Sequence, residues 1–326
     1  MVRFVLVGAG WQGQGHLTTL KEVESVEVVG ICDLNQELRE KASKKFGVPA
    51  FDDYTDMLNL TDPDAVLICT PPEARLALVK EAAERGIHCF IEKPPAKDLE
   101  KANEVLAVLE EFNVINSVGF MYRYSQAVDF AKQLLTGQKI RMIRSQMLDG
   151  IALRPNWPKW FFNKKVSGGP AFDQAIHIFD LSRYILGEEV GQLAGFQNNL
   201  VVPKSDHFTV EDSFSLTMAY KNGVIQTHTH TWSYDGHVTQ LDFIAENMRI
   251  TLDLGEGRVE GVLNGDKILF EAVENSLYKL ELLAFAEAVR TYQPELVRST
   301  YGDSLQSLRT ALKAVEALEY GHVVHS

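Results

Sequence analysis

The sequence predicts an α/β chain, with a doubly wound parallel sheet over residues 1–120 and an α+β domain built on a mostly antiparallel open sheet over 121–326. Three observations carry this. Strand-like and helix-like segments alternate up to about residue 120, as parallel strands joined by crossover helices require. Beyond that point long β-like runs take over, from Gly191 to Leu254 and from Arg258 to Phe270. A chain of 326 residues with 45% hydrophobic content is also too long for one ordinary core. The boundary near 120 has no linker signature and rests on the change of pattern.

In the first part the apolar runs place strands at 3–7, 26–32, 65–69, 88–91 and 115–119. Between them lie a charged amphipathic helix from Gln36 to Phe46 closed by Gly47, a helix from Glu73 to Arg85 closed by Gly86, and a helix from Leu99 to Phe112. In the second part helices are expected from Ser125 to Leu135, from Pro170 to Leu186, and near the C-terminus at about 278–292 and 303–319. Asn222-Gly223, between two runs of alternating polarity, predicts a type I′ hairpin.

The first strand runs straight into Gly8-Ala9-Gly10-Trp11-Gln12-Gly13, and the second ends on Asp33, twenty positions after the third glycine. A strand, a glycine turn opening a helix and an acid closing the next strand form the dinucleotide-binding fingerprint of a Rossmann domain. Gly8 makes the tight turn, Gly10 leaves room for a pyrophosphate against the backbone, and Gly13 lets the helix pack close. The helix N-terminus then offers free N–H groups to the phosphates. A carboxylate at Asp33 suits the two ribose hydroxyls of NAD and opposes the 2′-phosphate of NADP, and no arginine follows it until Arg39. NAD is therefore expected over NADP.

Composition excludes other classes. The formal charge of −12 argues against nucleic acid as the main partner. No apolar stretch reaches the roughly 18 residues that span a bilayer, and Met1 leads directly into a core strand rather than a signal peptide, so a cytoplasmic protein is expected. Cys32, Cys69 and Cys89 lie at or near strand ends, an odd count with no paired spacing that reads as reduced, structural thiols.

Ligands of open α/β sheets sit at the carboxyl ends of the strands. Cys69-Thr70-Pro71-Pro72 ends one strand and Glu92-Lys93-Pro94-Pro95 the next, where the proline pair keeps the lysine in a loop. A third segment, Ser167 to Asp180, starts Gly168-Gly169-Pro170. On one continuous helix Asp173, His177 and Asp180 would fall within an arc of roughly 60°. An imidazole between two carboxylates suits a general base that removes a hydroxyl proton, while the alternative reading is the solvated polar face of an ordinary helix.

Together the Gly8–Gly13 turn continued by Gly15-His16, the Thr70-Pro71-Pro72 and Glu92-Lys93-Pro94 segments, and Gly168-Gly169 followed by Asp173, His177 and Asp180 resemble the glucose-fructose oxidoreductase, inositol dehydrogenase and rhizopine catabolism (Gfo/Idh/MocA) family over essentially the whole chain. The resemblance implies an NAD(P)-dependent oxidoreductase moving a hydride between nicotinamide and a secondary alcohol of a sugar, cyclitol or sugar derivative. It implies Lys93 between nicotinamide and substrate, His177 as general acid/base, Asp173 beside it, and Gly8, Gly10, Trp11, Gln12, Gly13, Asp33, Thr70, Pro71, Glu92 and Lys93 lining the cofactor. It further implies a homodimer or homotetramer formed through the C-terminal sheet. Two positions depart from it: Arg75 stands where many relatives carry histidine, and Pro170 where many carry a third glycine.

Between Gly150 and Ala171 lie Arg154, Lys159, Lys164 and Lys165 with no acid, together with Trp157, Trp160, Phe161 and Phe162. Rings stack on the C–H faces of sugars and cations meet anionic groups, so Arg123, Arg154 and Trp160 join Asp173 and His177 as candidate substrate contacts; packing beneath a long loop is the alternative. His228 and His230 alternate on one strand with no third ligand placed by spacing. They are expected on a polar strand face at an oligomer interface, and no metal is expected. Two other functions remain open on this scaffold: a glycoside hydrolase that uses NAD transiently, and a non-enzymatic sensor.

Overall fold

The computed structural model describes residues 1–273 and 276–325. The chain divides into two compact units, one of Met1–Met121 with Asn275–Leu305 and the other of Tyr122–Glu274 with Gln306–Ser326.

In chain order the first unit holds β1 (Val2–Val7), α1 (Trp11–Leu20), β2 (Val26–Cys32), α2 (Gln36–Phe46), β3 (Ala50–Phe51), α3 (Tyr54–Thr61), β4 (Ala65–Ile68), α4 (Arg75–Glu84), β5 (His88–Ile91), α5 (Leu99–Glu111) and β6 (Asn116–Val118). The six strands are parallel in the order β3-β2-β1-β4-β5-β6, so the chain reverses direction across the sheet between β1 and β4. Ligands of open α/β sheets bind at that switch point. Central strands covered on both faces read as unbroken apolar runs, and every residue of β4 is buried. Helix ends follow the local chemistry: the Asn35 side chain caps α2 at Leu38 N–H, and Gly47 closes it at a φ of 70°. The sequence reading missed β3 and α3, two short elements of which α3 is capped by Asp53 at Asp56 N–H.

The second unit holds α6 (Gln126–Leu135), β7 (Met142–Asp149), α7 (Lys164–Ser167), α8 (Pro170–Asp173), α9 (Ile176–Leu186), β8 (Val190–Asn198), β9 (Ser213–Tyr220), β10 (Ile225–Thr231), β11 (His237–Ile244), β12 (Met248–Asp253), β13 (Arg258–Leu263) and β14 (Asp266–Glu271). With the final β15 (Val324–His325) these strands form one nine-stranded sheet, β14-β13-β12-β11-β7-β10-β9-β8-β15, antiparallel except where β7 and β10 run together.

Three sequence expectations change. Helix α10 (Leu277–Thr291), read with the second part of the chain, packs in the first unit, because Leu282, Phe285, Ala286 and Val289 share a core with Phe4, Leu6 and Phe90. Removing the Phe285 ring from that core costs about 3–5 kcal/mol. The following helix α11 (Tyr301–Tyr320) contributes residues to both units. The Asn222-Gly223 hairpin is not type I′: Asn222 is absent from the positive-φ residues while Gly223 lies at 89°, and Gly223 N–H donates to Tyr220 O at 2.9 Å. This is a type I turn with a bulging glycine, the three-residue form. Finally, the helix expected from Pro170 to Leu186 is two helices, α8 and α9, interrupted at Gln174-Ala175.

Candidate functional site

In the first unit the glycine turn is built as its sequence requires. A Cβ on Gly8, whose φ is 95°, would lie 2.8 Å from the Cys69 carbonyl, and one on Gly13 would lie 2.0 Å from the Gly8 carbonyl oxygen. Gly10 faces open space, with nothing within 4 Å of its added Cβ. The fingerprint roles thus divide: two glycines permit contact inside the protein and one leaves room outside it. Trp11 is exposed beside the turn. Asp33 is fixed at the end of β2 by two backbone donors, Ala9 N–H to Oδ2 at 2.7 Å and Asn35 N–H to Oδ1 at 2.8 Å. Each oxygen keeps a lone pair for a ribose hydroxyl. The Arg39 guanidinium donates to the Asp33 carbonyl at 2.7 Å, so a cation stands near that end of the site.

At the ends of β4 and β5 the two loops are tied into one object. Glu92 is buried, and its Oε1 accepts from Gln12 Nε2 at 3.0 Å and meets His16 Nε2 at 2.5 Å. Its Oε2 accepts Lys93 N–H at 2.9 Å. Burial opposes charge on this carboxyl, but the His16 hydrogen bond and the nearby Lys93 and Arg75 outweigh it and hold Glu92 below the usual carboxylate range. Glu92 is therefore tied to α1 and to its own loop, with His16 as its buried partner. Arg75 is buried as well and donates to the carbonyls of Thr70, Glu92 and Pro94. It is thus a main-chain tie within the first unit, at the position where many relatives carry histidine. Thr70 Oγ1 is buried with no hydrogen-bond partner among the described residues. An open glycine, a carboxylate fixed at a strand end and an orphaned hydroxyl, all at the switch point of one sheet, fit a dinucleotide.

Buried beneath this region, Glu281 of α10 has both carboxyl oxygens without a partner among the described residues. Desolvation and the neighbouring Glu92 charge hold its carboxyl well above the usual range. No sequence signal marked it. The three cysteines are free thiols; burial pushes Cys32 up to about 11 and Cys89 up to about 12, and raises Cys69 as well. A thiol held protonated is a poor nucleophile.

In the second unit the break at Gln174-Ala175 rearranges the expected arc. His177 N–H donates to Gln174 O at 3.2 Å and Ala175 N–H to Pro170 O at 2.9 Å, departures from regular α-helical bonding at the break. Gln174 turns into the unit, where its Oε1 meets His230 Nε2 at 3.0 Å and accepts from Trp232 Nε1. Asp180 does not flank the imidazole as a free carboxylate. It accepts from Arg123 Nε at 2.8 Å and Nη2 at 2.6 Å and from Ser307 Oγ at 2.7 Å, all buried. Arg123, expected at the substrate, is thereby the buried counterion of Asp180. His177 is buried, its ring packed edge-on against Tyr122 with centroids 5.7 Å apart, and Asp173 is partly exposed.

Arg154 donates to Asp149 Oδ1 at 2.8 Å and lies over the Trp157 ring, while Asp149 Oδ2 also meets His237 Nδ1 at 3.1 Å. Trp160 is 54% exposed and touches Phe161, whose ring stacks on Trp232. The basic aromatic segment therefore packs on one side and presents Trp160, Lys159 and Lys165 to solvent on the other. Lys164 is paired with Glu211 and Glu319. His228 and His230 overturn the expected interface role. Both are fully buried on the inner face of β10, with His228 Nδ1 3.0 Å from Ser145 Oγ and Phe214 stacked on His230. Among the described residues no group of three or more metal-ligating side chains is assembled.

No described helix is long and apolar enough to cross a membrane. Residues 2–120 match the sequence model of the oxidoreductase family with an NAD-binding Rossmann fold, and 133–255 match that of the Gfo/Idh/MocA C-terminal domain. The chain is 29% identical to an uncharacterized oxidoreductase, YrbE, of Bacillus subtilis (strain 168), over 97% of this chain and 94% of that one. It is 26% identical to the scyllo-inositol 2-dehydrogenase (NAD(+)) of the same organism, over 98% and 95%. Its fold matches the UDP-N-acetylglucosamine 3-dehydrogenase of Acidithiobacillus ferrooxidans with a TM-score of 0.85 at 19% identity, covering 98% of each chain. With both family domains matched in order, a parallel Rossmann sheet followed by an open nine-stranded one, the chain belongs to the Gfo/Idh/MocA family of oxidoreductases.

Proposed function

We propose that this protein is an NAD-dependent dehydrogenase acting on a secondary alcohol of a sugar, cyclitol or sugar derivative, with Lys93 and His177 handling the proton. The observation that carries the reading is the Glu92-Lys93-Pro94 loop, tied to the glycine turn through Glu92, Gln12 and His16 at the switch point of the parallel sheet. Gly8, Gly10, Trp11, Gln12, Gly13, Asp33, Thr70 and Pro71 would hold NAD, which supplies a hydride acceptor when bound. The Lys93 ammonium stabilises negative charge as it develops on the substrate oxygen, and the His177 imidazole takes up the hydroxyl proton. Asp173 orients the substrate hydroxyl or the imidazole. Substrate class follows the inositol dehydrogenase likeness over nearly the full chain.

NAD is favoured over NADP because Asp33, held at the end of β2 by two backbone N–H groups, suits ribose hydroxyls and opposes a 2′-phosphate. A homodimer or homotetramer is proposed through the nine-stranded sheet, whose strands carry exposed Phe196, Ile225, Val262 and Leu269. A cytoplasmic location completes the proposal.

A screen of sugars, inositols and sugar acids with NAD and NADP, followed by absorbance of the reduced cofactor, tests the reaction class. On the substrate found, Lys93→Ala and His177→Ala are each expected to lower kcat about a hundredfold with NAD affinity nearly intact. Normal turnover in either variant removes that residue from the mechanism.

A further inference from the structure

Lys93 can act on a substrate oxygen only if its loop has one conformation, and Pro94-Pro95 restrict the backbone without setting where the loop sits against its neighbours. The residues on either side of it present main-chain carbonyls, Glu92 O and Pro94 O, and both accept from the same nitrogen, Nη1 of Arg75. The other edge of that guanidinium, Nε and Nη2, donates to Thr70 O at 3.1 and 2.8 Å. Arg75 opens α4 and is only 3% exposed. One planar cation thus joins the loop after β4, which carries the orphaned Thr70 hydroxyl, to the loop after β5, which carries Lys93. Its partners are carbonyl oxygens on both sides, and a guanidinium can serve them because its five N–H groups point outward in a rigid fork.

A buried guanidinium is expensive to desolvate, and a fold that needed only apolar packing at the start of α4 would be served by leucine or methionine. Here four hydrogen bonds converge on backbone within one residue of Lys93 and at Thr70, so the fork fixes the spacing between the two loops. On the opposite flank the Glu92 carboxylate is bound by Gln12, His16 and Lys93 N–H. We propose that Arg75 is the positioning residue for Lys93, a clamp that sets the lysine against the Thr70 loop. The proposal rests on the reading of Lys93 as a proton-handling group.

The test uses Arg75→Lys and Arg75→Met with Lys93→Ala alongside. Lysine keeps the charge but places a single ammonium where a fork spans three carbonyls, so the fold is expected to survive in it even if Arg75→Met unfolds. A misplacement of about 1 Å at a reacting group can cost about a hundredfold in rate, so Arg75→Lys is expected to lower kcat tenfold or more. Its affinity for NADH, read by fluorescence without substrate, should fall by less than kcat does, since the clamp acts chiefly on where Lys93 stands and the cofactor keeps its other contacts. Hydrogen exchange should quicken in 92–97 and 69–75 while β1 and α10 keep their protection. Unchanged kcat in Arg75→Lys overturns the proposal, as does a loss of kcat matched by an equal loss of NADH affinity or by exchange quickened across the whole unit. A Lys93→Ala enzyme with wild-type kcat would remove the underlying reading instead. The two failures are told apart because exchange and NADH binding in Arg75→Lys are read without catalysis.

Discussion

Two buried arginines, one in each unit, sit next to the two proposed proton-handling groups, and they work in different ways. Arg75 donates to backbone carbonyls five, seventeen and nineteen residues away and joins two strand-end loops. Arg123 pairs with the Asp180 carboxylate, fifty-seven residues away, and Asp180 takes a further bond from Ser307. The first arginine joins two loops through their main-chain carbonyls and leaves no side-chain charge behind when it is removed. The second neutralises a carboxylate with no other home, one helical turn from His177. The difference teaches where stability and catalysis separate: loss of a backbone tie loosens geometry, whereas loss of a buried counterion strands a charge.

The largest expected effect follows directly. Arg123→Met should destabilise the second unit by about 3–5 kcal/mol, because Asp180 is left buried and uncompensated. The double variant Arg123→Met/Asp180→Leu should recover most of that loss, since neither charge remains. Urea unfolding of the wild type, both single variants and the double variant measures it. A double variant no better than Arg123→Met would show that shape, not charge, is what the pair contributes. Arg75→Lys offers the contrast, with a smaller stability loss and a larger fractional loss of kcat.

The same contrast explains what could be read from sequence. The glycine turn, Asp33 and the two strand-end loops are local, and each was legible because the backbone geometry it needs selects glycine, proline or a capping acid within a few residues. The partners of those residues were less so: Arg75 reads only as a departure from the family's histidine until its carbonyl acceptors are seen, and the His16–Glu92 contact joins two distant segments. In the second unit the failures share one cause. Helical periodicity assumes an unbroken helix, and the break at Gln174-Ala175 arises because the Gln174 side chain serves His230 and Trp232, more than fifty residues on. Alternation put His228 and His230 on one face of β10 without telling which face was inside. Helix α10 joined the other unit because an amphipathic pattern specifies an apolar stripe and not its partner.

Those two inward histidines provide the next effect in size. Burial pushes His228 down to about 3 and His230 well below the usual value, with the His228 neighbour contributing to the latter. The unfolded chain binds protons at both near pH 6.5 while the folded chain does not, so stability is full above 6.5 and falls as pH drops below it. Together they should add a slope of up to about 2.7 kcal/mol per pH unit well below 6.5. Unfolding free energies at pH 7, 6 and 5 for the wild type and for His228→Asn/His230→Asn measure the difference. Equal slopes would mean that these imidazoles are not neutral in the fold.

Smaller still is the choice of cofactor. Asp33→Ser removes the carboxylate that opposes a 2′-phosphate, and Arg39, already bonded to the Asp33 carbonyl, supplies a cation beside the vacated position. A shift in the NAD to NADP preference of about tenfold or more, about 1.4 kcal/mol, is expected from dissociation constants read by fluorescence. If the wild type already prefers NADP, the Asp33 reading fails outright. An unchanged ratio in the variant would place the ribose elsewhere.

The smallest effect lies at the edge of the basic segment. His237 is raised above its ordinary value chiefly by its hydrogen bond to Asp149, against partial burial and the repulsion of Arg154. A histidine raised in the fold stabilises below its unfolded value near 6.5, and that contribution is lost as pH rises through the folded value. Its side chain is 48% exposed, so solvent screens the pair and the stability effect should be slight. An NMR titration of the ring isolates it: Asp149→Asn should bring His237 back toward 6.5 and remove the negative charge that Arg154 faces as well. If Arg154 faces substrate, that release should also change KM with little change in kcat, and the change should shrink as salt screens it. A KM that stays constant in Asp149→Asn and in Arg154→Ala would assign the segment to packing, with Trp160 standing exposed over it for reasons unrelated to the sugar.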